Sequence, residues 1–176
     1  MTITTADHPD PKLDLVLRRE LDVPREHVWS AWTRPDYLTQ WFAPRLWSMQ
    51  ECEIDLRPGG QFRTVLRSPE GQLFDNRGCY LEVAPNERLV WTNAEAPHFR
   101  ANAQGRAFGV PLFTAVLTFE RAGSAATLYT AVVLHGSEDD CRKHENLGFH
   151  EEGRRSLDRL VTTAKGLQLT AQPLRA

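Results

Sequence analysis

Net charge, cysteine pairs and long apolar runs are all scarce in this chain, and each scarcity removes a class of function. Lys and Arg number 21 against 23 Asp and Glu, giving a formal charge of -2. No basic field is available for a nucleic-acid backbone or an anionic membrane surface, so neither is expected as a partner. Cysteines number three, at Cys52, Cys79 and Cys141, with no Cys-x-x-Cys spacing. An odd, widely spaced set cannot form a complete disulfide framework and fits reduced thiols in the cytoplasm. No apolar run approaches membrane-spanning length. Met1 to Asp10 lacks a positive stretch followed by an apolar one, so no signal peptide or anchor is expected there.

Catalytic signatures are missing as well. There is no Gly-x-Ser-x-Gly elbow, Cys-His signature or dinucleotide fingerprint. Asp55-Leu56-Arg57-Pro58-Gly59-Gly60 lacks the lysine and following helix of a phosphate-cradling loop. It reads as a turn, with Arg57 paired to a nearby carboxylate. His135, Asp139, Asp140, His144, Glu145, His150 and Glu151 concentrate potential metal ligands, but without a His-Glu-x-x-His pair or comparable spacing. They are expected to cap and solvate the start of a helix. Neither a metal nor a cofactor is expected.

What is present is a clear alternation of patterns. Leu13, Leu15 and Leu17 share one face at period two, which predicts a strand over Leu13 to Leu21. Pro24 then opens a short helix carrying Val28, Trp29 and Trp32, which Arg34-Pro35 stops. A second short helix carries Leu38, Trp41 and Phe42 up to Pro44. Six strand-like segments follow, near 50–56, 61–68, 72–83, 87–93, 112–121 and 126–135. Pro58-Gly59-Gly60, Pro69-Glu70-Gly71, Ala84-Pro85-Asn86 and Arg121-Ala122-Gly123-Ser124 separate them, as antiparallel hairpins require. From about Glu138 to Gly166 the pattern is helical, with Phe149, Leu157, Leu160, Val161 and Ala164 on one face. Gly148 and Gly153 predict a kink or late start in its first half.

One domain is expected over 12–167, with 1–11 and 168–176 as flexible termini. The economical arrangement is α+β: a strongly curved seven-stranded antiparallel sheet wrapped around a long C-terminal helix, with two short helices after strand 1. Space left between helix and sheet becomes a pocket.

Candidate pocket residues follow from this arrangement. Trp41, Phe42 and Trp47 can form an aromatic wall or belong to ordinary core. Phe62, Phe74, Trp91, Phe113 and Phe119 lie in strands whose alternate positions face inward, with Trp91 and Phe113 the best placed to line a cavity. His150 and Arg154, four apart, are neighbours on a helix face. An inward Arg154 would call for an anionic ligand, a carboxylate or phenolate; an outward one is simply solvated beside Arg155. Asp75 and His98 are further polar candidates. The 17 residues from Ala94 to Val110 form a long loop, expected to gate the pocket with His98, Phe99 and Phe108.

Several motifs in order resemble a known family. They are Val28-Trp29-Ser30-Ala31-Trp32-Thr33 with Pro35; Trp41-Phe42-Ala43-Pro44; Asp55 to Gly60; Gly78 to Pro85 leading to Glu87-Arg88-Leu89-Val90-Trp91; Thr127 with Tyr129; His135; and His144 to Glu151. Over about residues 12–167 the chain resembles the START-like SRPBCC superfamily, in the polyketide-cyclase-like branch named for the activator of the heat-shock-protein ATPase. One departure is Gly153-Arg154, where the branch typically has Gly-Trp. The resemblance implies a helix-grip fold with a hydrophobic cavity, and implies no reaction. The leading expectation is binding of a hydrophobic or aromatic small molecule without catalysis. The alternative is a cyclase or hydrolase using His150 or Asp75 in proton transfer, and the third is a co-chaperone-like interaction module. Monomer and homodimer both stay open, because the fold leaves strand edges exposed.

Overall fold

The structure, a computed structural model, describes residues 7–102 and 109–170. Strand β1, Asp14–Leu21, is followed by α1, Arg25–Thr33, and α2, Pro35–Trp41. Then come β2 (Ser48–Ile54), β3 (Gln61–Arg67), β4 (Leu73–Ala84) and β5 (Arg88–Thr92). Two-residue strands β6, Glu95–Ala96, and β7, Arg100–Ala101, flank a 3-10 turn at Pro97–Phe99. The chain closes with β8 (Phe113–Ala122), β9 (Ala126–His135), α3 (Glu138–Asn146) and α4 (Phe149–Thr170).

Seven strands form one antiparallel sheet in the order β1-β9-β8-β5-β4-β3-β2. The β8–β9 hairpin is its longest ladder, running from Phe113 opposite His135 to Ala122 opposite Ala126. Register shifts at Met49/Glu51 and Tyr80/Glu82 insert bulges in β2 and β4, which bend their strands and increase local twist. Alternation does the rest: Phe62, Thr64 and Leu66 of β3 face α4, while Arg63 between them meets Asp75, Glu51 and Glu53 on the outer face.

The short helices end where the backbone must. Arg34 is extended, at φ -109 and ψ 125, because a residue before proline avoids the helical region; Pro35 then starts α2. Pro24 itself is the N-cap of α1, one position before the helix proper.

Two features differ from the sequence pattern. The terminal helix is two helices, because Gly148 adopts φ 93 between them, a left-handed conformation that stops a helix at its C-terminus. Ser137 caps α3 by accepting the Asp140 N–H, and Glu138, Asp139 and Asp140 fill its first turn. Gly153, by contrast, lies within α4 and lets it approach the sheet: a Cβ there would sit 2.9 Å from Leu17 Cδ2. The second difference is the β6–β7 ribbon at the start of the predicted loop. Buried Leu157, Leu160 and Ala164 of α4 meet Trp29, Phe119 and Tyr129 in the core. Among the described residues, no helix is long and apolar enough to cross a membrane.

Candidate functional site

Between the concave face and α4 lies a cavity of about 420 Å³. Its wall repeats the strand period. Phe62, Thr64 and Leu66 come from β3, Phe113, Ala115 and Leu117 from β8, and Tyr129, Ala131 and Val133 from β9. The wall includes small residues, Ala115 and Ala131 on the sheet among them, which leave room that larger side chains would fill. Trp32, Trp41 and Phe42 of the short helices close one end, edge-on to one another with centroids 4.8 to 6.0 Å apart. Trp91 links this cluster onward, 4.9 Å from Phe62 and 5.2 Å from Phe113.

Polar groups on the wall are few; several are occupied, whereas the indole N–H groups of Trp32 and Trp91 are buried without a hydrogen-bond partner among the described residues. Arg159 donates from Nη2 to Glu152 Oε1 at 2.6 Å and Ser156 Oγ at 2.9 Å, and from Nε to the Trp41 carbonyl at 3.0 Å. Asn93 Oδ1 accepts the Phe113 N–H at 2.7 Å, and its amide donates to the Pro111 carbonyl at 3.1 Å. His144 stands apart. Its Nδ1 lies 2.9 Å from Nε2 of buried His135, whose Nδ1 lies 2.9 Å from the Leu13 carbonyl. Burial, and then His135, hold the His144 ring down to about 4, because a charged imidazolium is poorly solvated there.

Of the residues singled out from sequence, Trp41, Phe42, Phe62, Trp91 and Phe113 all lie on this wall. The others lie elsewhere. Phe74 packs on Trp47 at 5.4 Å, and Asp75 is held by Arg63 at 2.8 Å and Arg77 at 2.9 Å on the outer face. The guanidinium of Arg63 keeps the Asp75 carboxyl below its ordinary range. Arg154 is exposed, one helical step past the inward face of Phe149, Gly153, Ser156 and Leu157, so its cation is in solvent. His150 turns to Glu145, 3.5 Å away. His98 and Phe99 both have positive φ and dock on the Gly59 turn, the His98 N–H donating to the Gly59 carbonyl at 2.8 Å. Within Ala94 to Val110, Val110 is a described residue on the wall; Phe108 lies outside the described residues.

Sequence reasoning missed His144, Trp32, Tyr129, Glu152 and Leu147 as wall residues. For His135 a signal existed: it continues the period-two series Tyr129, Ala131, Val133 and therefore faces inward. The partner ring arrives from α3, nine residues later.

A curved antiparallel sheet gripping a C-terminal helix, with an apolar cavity between them, defines a START-like helix-grip protein of the SRPBCC kind. Residues 22–165 match the family described as Activator of Hsp90 ATPase homolog 1-like protein, and the chain belongs to that family. A solved structure from Nitrosomonas europaea is 41% identical, covering 91% of this chain and 99% of the other, with a TM-score of 0.83. One from Chromobacterium violaceum is 25% identical over 86% and 96% of the chains, TM-score 0.67. One from Rhodobacter sphaeroides, at 20% identity over 93% and 96% and TM-score 0.74, shares the fold. No match was found among curated proteins.

Proposed function

We propose that this protein binds a hydrophobic or aromatic small molecule in the cavity between sheet and α4, without transforming it, as a cytoplasmic carrier or sensor. The observation that supports this reading most is the wall itself: an apolar space of about 420 Å³ edged by Trp32, Trp41, Phe42, Trp91 and Phe113. That is the scale and character of small-molecule sites. His150 and Asp75, on which a cyclase or hydrolase reading would rest, are paired with Glu145 and Arg63 away from the wall. Binding alone therefore accounts for more of the arrangement.

Native mass spectrometry against a library of small aromatics and fatty acids tests it, with Ala131→Phe as the blocked control. Ala131 is buried on the wall, and a phenyl group there enters the cavity at an overpacking cost of roughly 1–3 kcal/mol. The expected result is retention of an aromatic compound by the wild type and its loss in a folded Ala131→Phe. A wild type that retains nothing overturns the reading.

A further inference from the structure

His135 and His144 are the unusual feature of this wall. The Leu13 carbonyl can only accept, so His135 Nδ1 must carry a hydrogen and donate it at 2.9 Å. In an uncharged ring that leaves His135 Nε2 as a lone pair. The contact at 2.9 Å to His144 is then completed by hydrogen on His144 Nδ1. His144, a wall residue, consequently has Nε2 as a bare acceptor, with no hydrogen-bond partner among the described residues. The ring is held in orientation by Phe113, 5.2 Å away, and Phe149, 5.4 Å away. No carboxylate pairs with either imidazole among the described residues, and burial keeps His144 uncharged at neutral pH.

We infer that His144 Nε2 selects ligands by accepting one hydrogen bond, so that the cavity takes an apolar molecule bearing a neutral donor such as a phenol, an alcohol or a ring N–H. This rests on the cavity-binding reading above and narrows its ligand class. A carboxylate or phenolate would set one acceptor against another. The cations near the wall do not relieve it, since Arg77, which lines the cavity, is held by Asp75 at 2.9 Å, Arg159 is committed to Glu152 and the Trp41 carbonyl and Arg154 is in solvent. The ligand group that meets His144 is therefore a neutral donor, contrary to what an inward Arg154 would have required, and any acceptor the ligand carries belongs toward the unpartnered indole N–H of Trp91. His144 acts as a specificity-determining residue, and His135 as the positioning residue that sets its tautomer.

Calorimetric binding of 1-naphthol, its methyl ether and 1-naphthoate tests the inference. The wild type should prefer the naphthol to the ether about five- to tenfold, the worth of one neutral hydrogen bond, and bind the naphthoate more weakly than either. In His144→Phe, which keeps the ring contacts, naphthol and ether should bind equally. Long-range proton–nitrogen correlation on the wild type should show His144 Nε2 as a pyridine-type nitrogen, and this reads the tautomer even if the variant fails to fold. Equal binding of naphthol and ether by the wild type, a preference for the naphthoate, or a proton on Nε2 each overturns the inference while leaving the cavity reading intact. If none of the three binds, the cavity reading falls and takes the inference with it.

Discussion

Trp41 is 3% exposed, and its indole N–H donates to the Ala31 carbonyl at 2.9 Å. Its ring is therefore wall and core at once, tying α2 to α1. Trp41→Ala should lower the unfolding free energy by about 3–5 kcal/mol, read from urea denaturation, so loss of ligand in that variant would say little about contact. A cost under about 1 kcal/mol would show a ring that merely borders the cavity. His144 is the complementary case, a polar residue whose burial has a pH signature. Its value is about 4 against the ordinary imidazole value of 6.5, so between those values the unfolded chain binds the extra proton. Stability from this group is fully present above about 6.5, falls as pH drops through the window and levels off below it. After discounting for its partial exposure, the loss is on the order of 2 kcal/mol. Of the titratable groups, His135 on β9 contacts it, and Glu152 on α4, which Arg159 holds, Arg77 on β4, which Asp75 holds, and Tyr129 on β9 share the wall. Comparing denaturation midpoints at pH 7 and 4.5 in the wild type and in His144→Phe isolates the effect. An unchanged pH dependence in the variant would contradict it.

At the scale of elements, glycines separate positions that need them from positions that do not. A Cβ on Gly60 would lie 2.0 Å from the Asp55 carbonyl oxygen and 2.8 Å from that of Arg57. Backbone cannot yield there as a side-chain tip can, so Gly60→Ala should cost roughly 3 kcal/mol or more. Gly166, exposed in α4 with nothing within 4 Å of a built Cβ, should behave oppositely. Gly166→Ala should gain about 0.5–1 kcal/mol from helix propensity; a loss on thermal denaturation would indicate a contact across that face. The same contrast explains what was legible in the sequence. Pro-Gly turns and period-two leucines located the seven main strands, because those signals act within a few residues. The β6–β7 ribbon was not legible, since His98 and Phe99 adopt φ 64 and φ 57 in a conformation that such residues rarely choose unaided. Docking on Gly59 holds them there.

For the whole molecule, the apolar half of the site could be read from sequence and the polar half could not. Trp91 and Phe113 declared their inward faces through strand alternation. His144 became part of the wall only because β9 ends beside the start of α3 and brings His135 against it. Arg154 was left open for the opposite reason: spacing put it beside the inward face, and one helical step of about 100° puts its charge in solvent, the second of the two alternatives. A cavity assembled from β1, β3, β4, β5, β8, β9 and four helices couples ligand binding to the stability of the fold that surrounds it. A ligand that binds the folded state alone, at a hundredfold excess over its Kd, should add about 2.7 kcal/mol. For a chain of this length that raises Tm by roughly 5–10 °C. Melting curves with 1-naphthol should show the rise in the wild type and none in Ala131→Phe, whose cavity is filled. An equal rise in both would place the naphthol on the outer surface, and the space between sheet and α4 would then have to be regarded as packing slack.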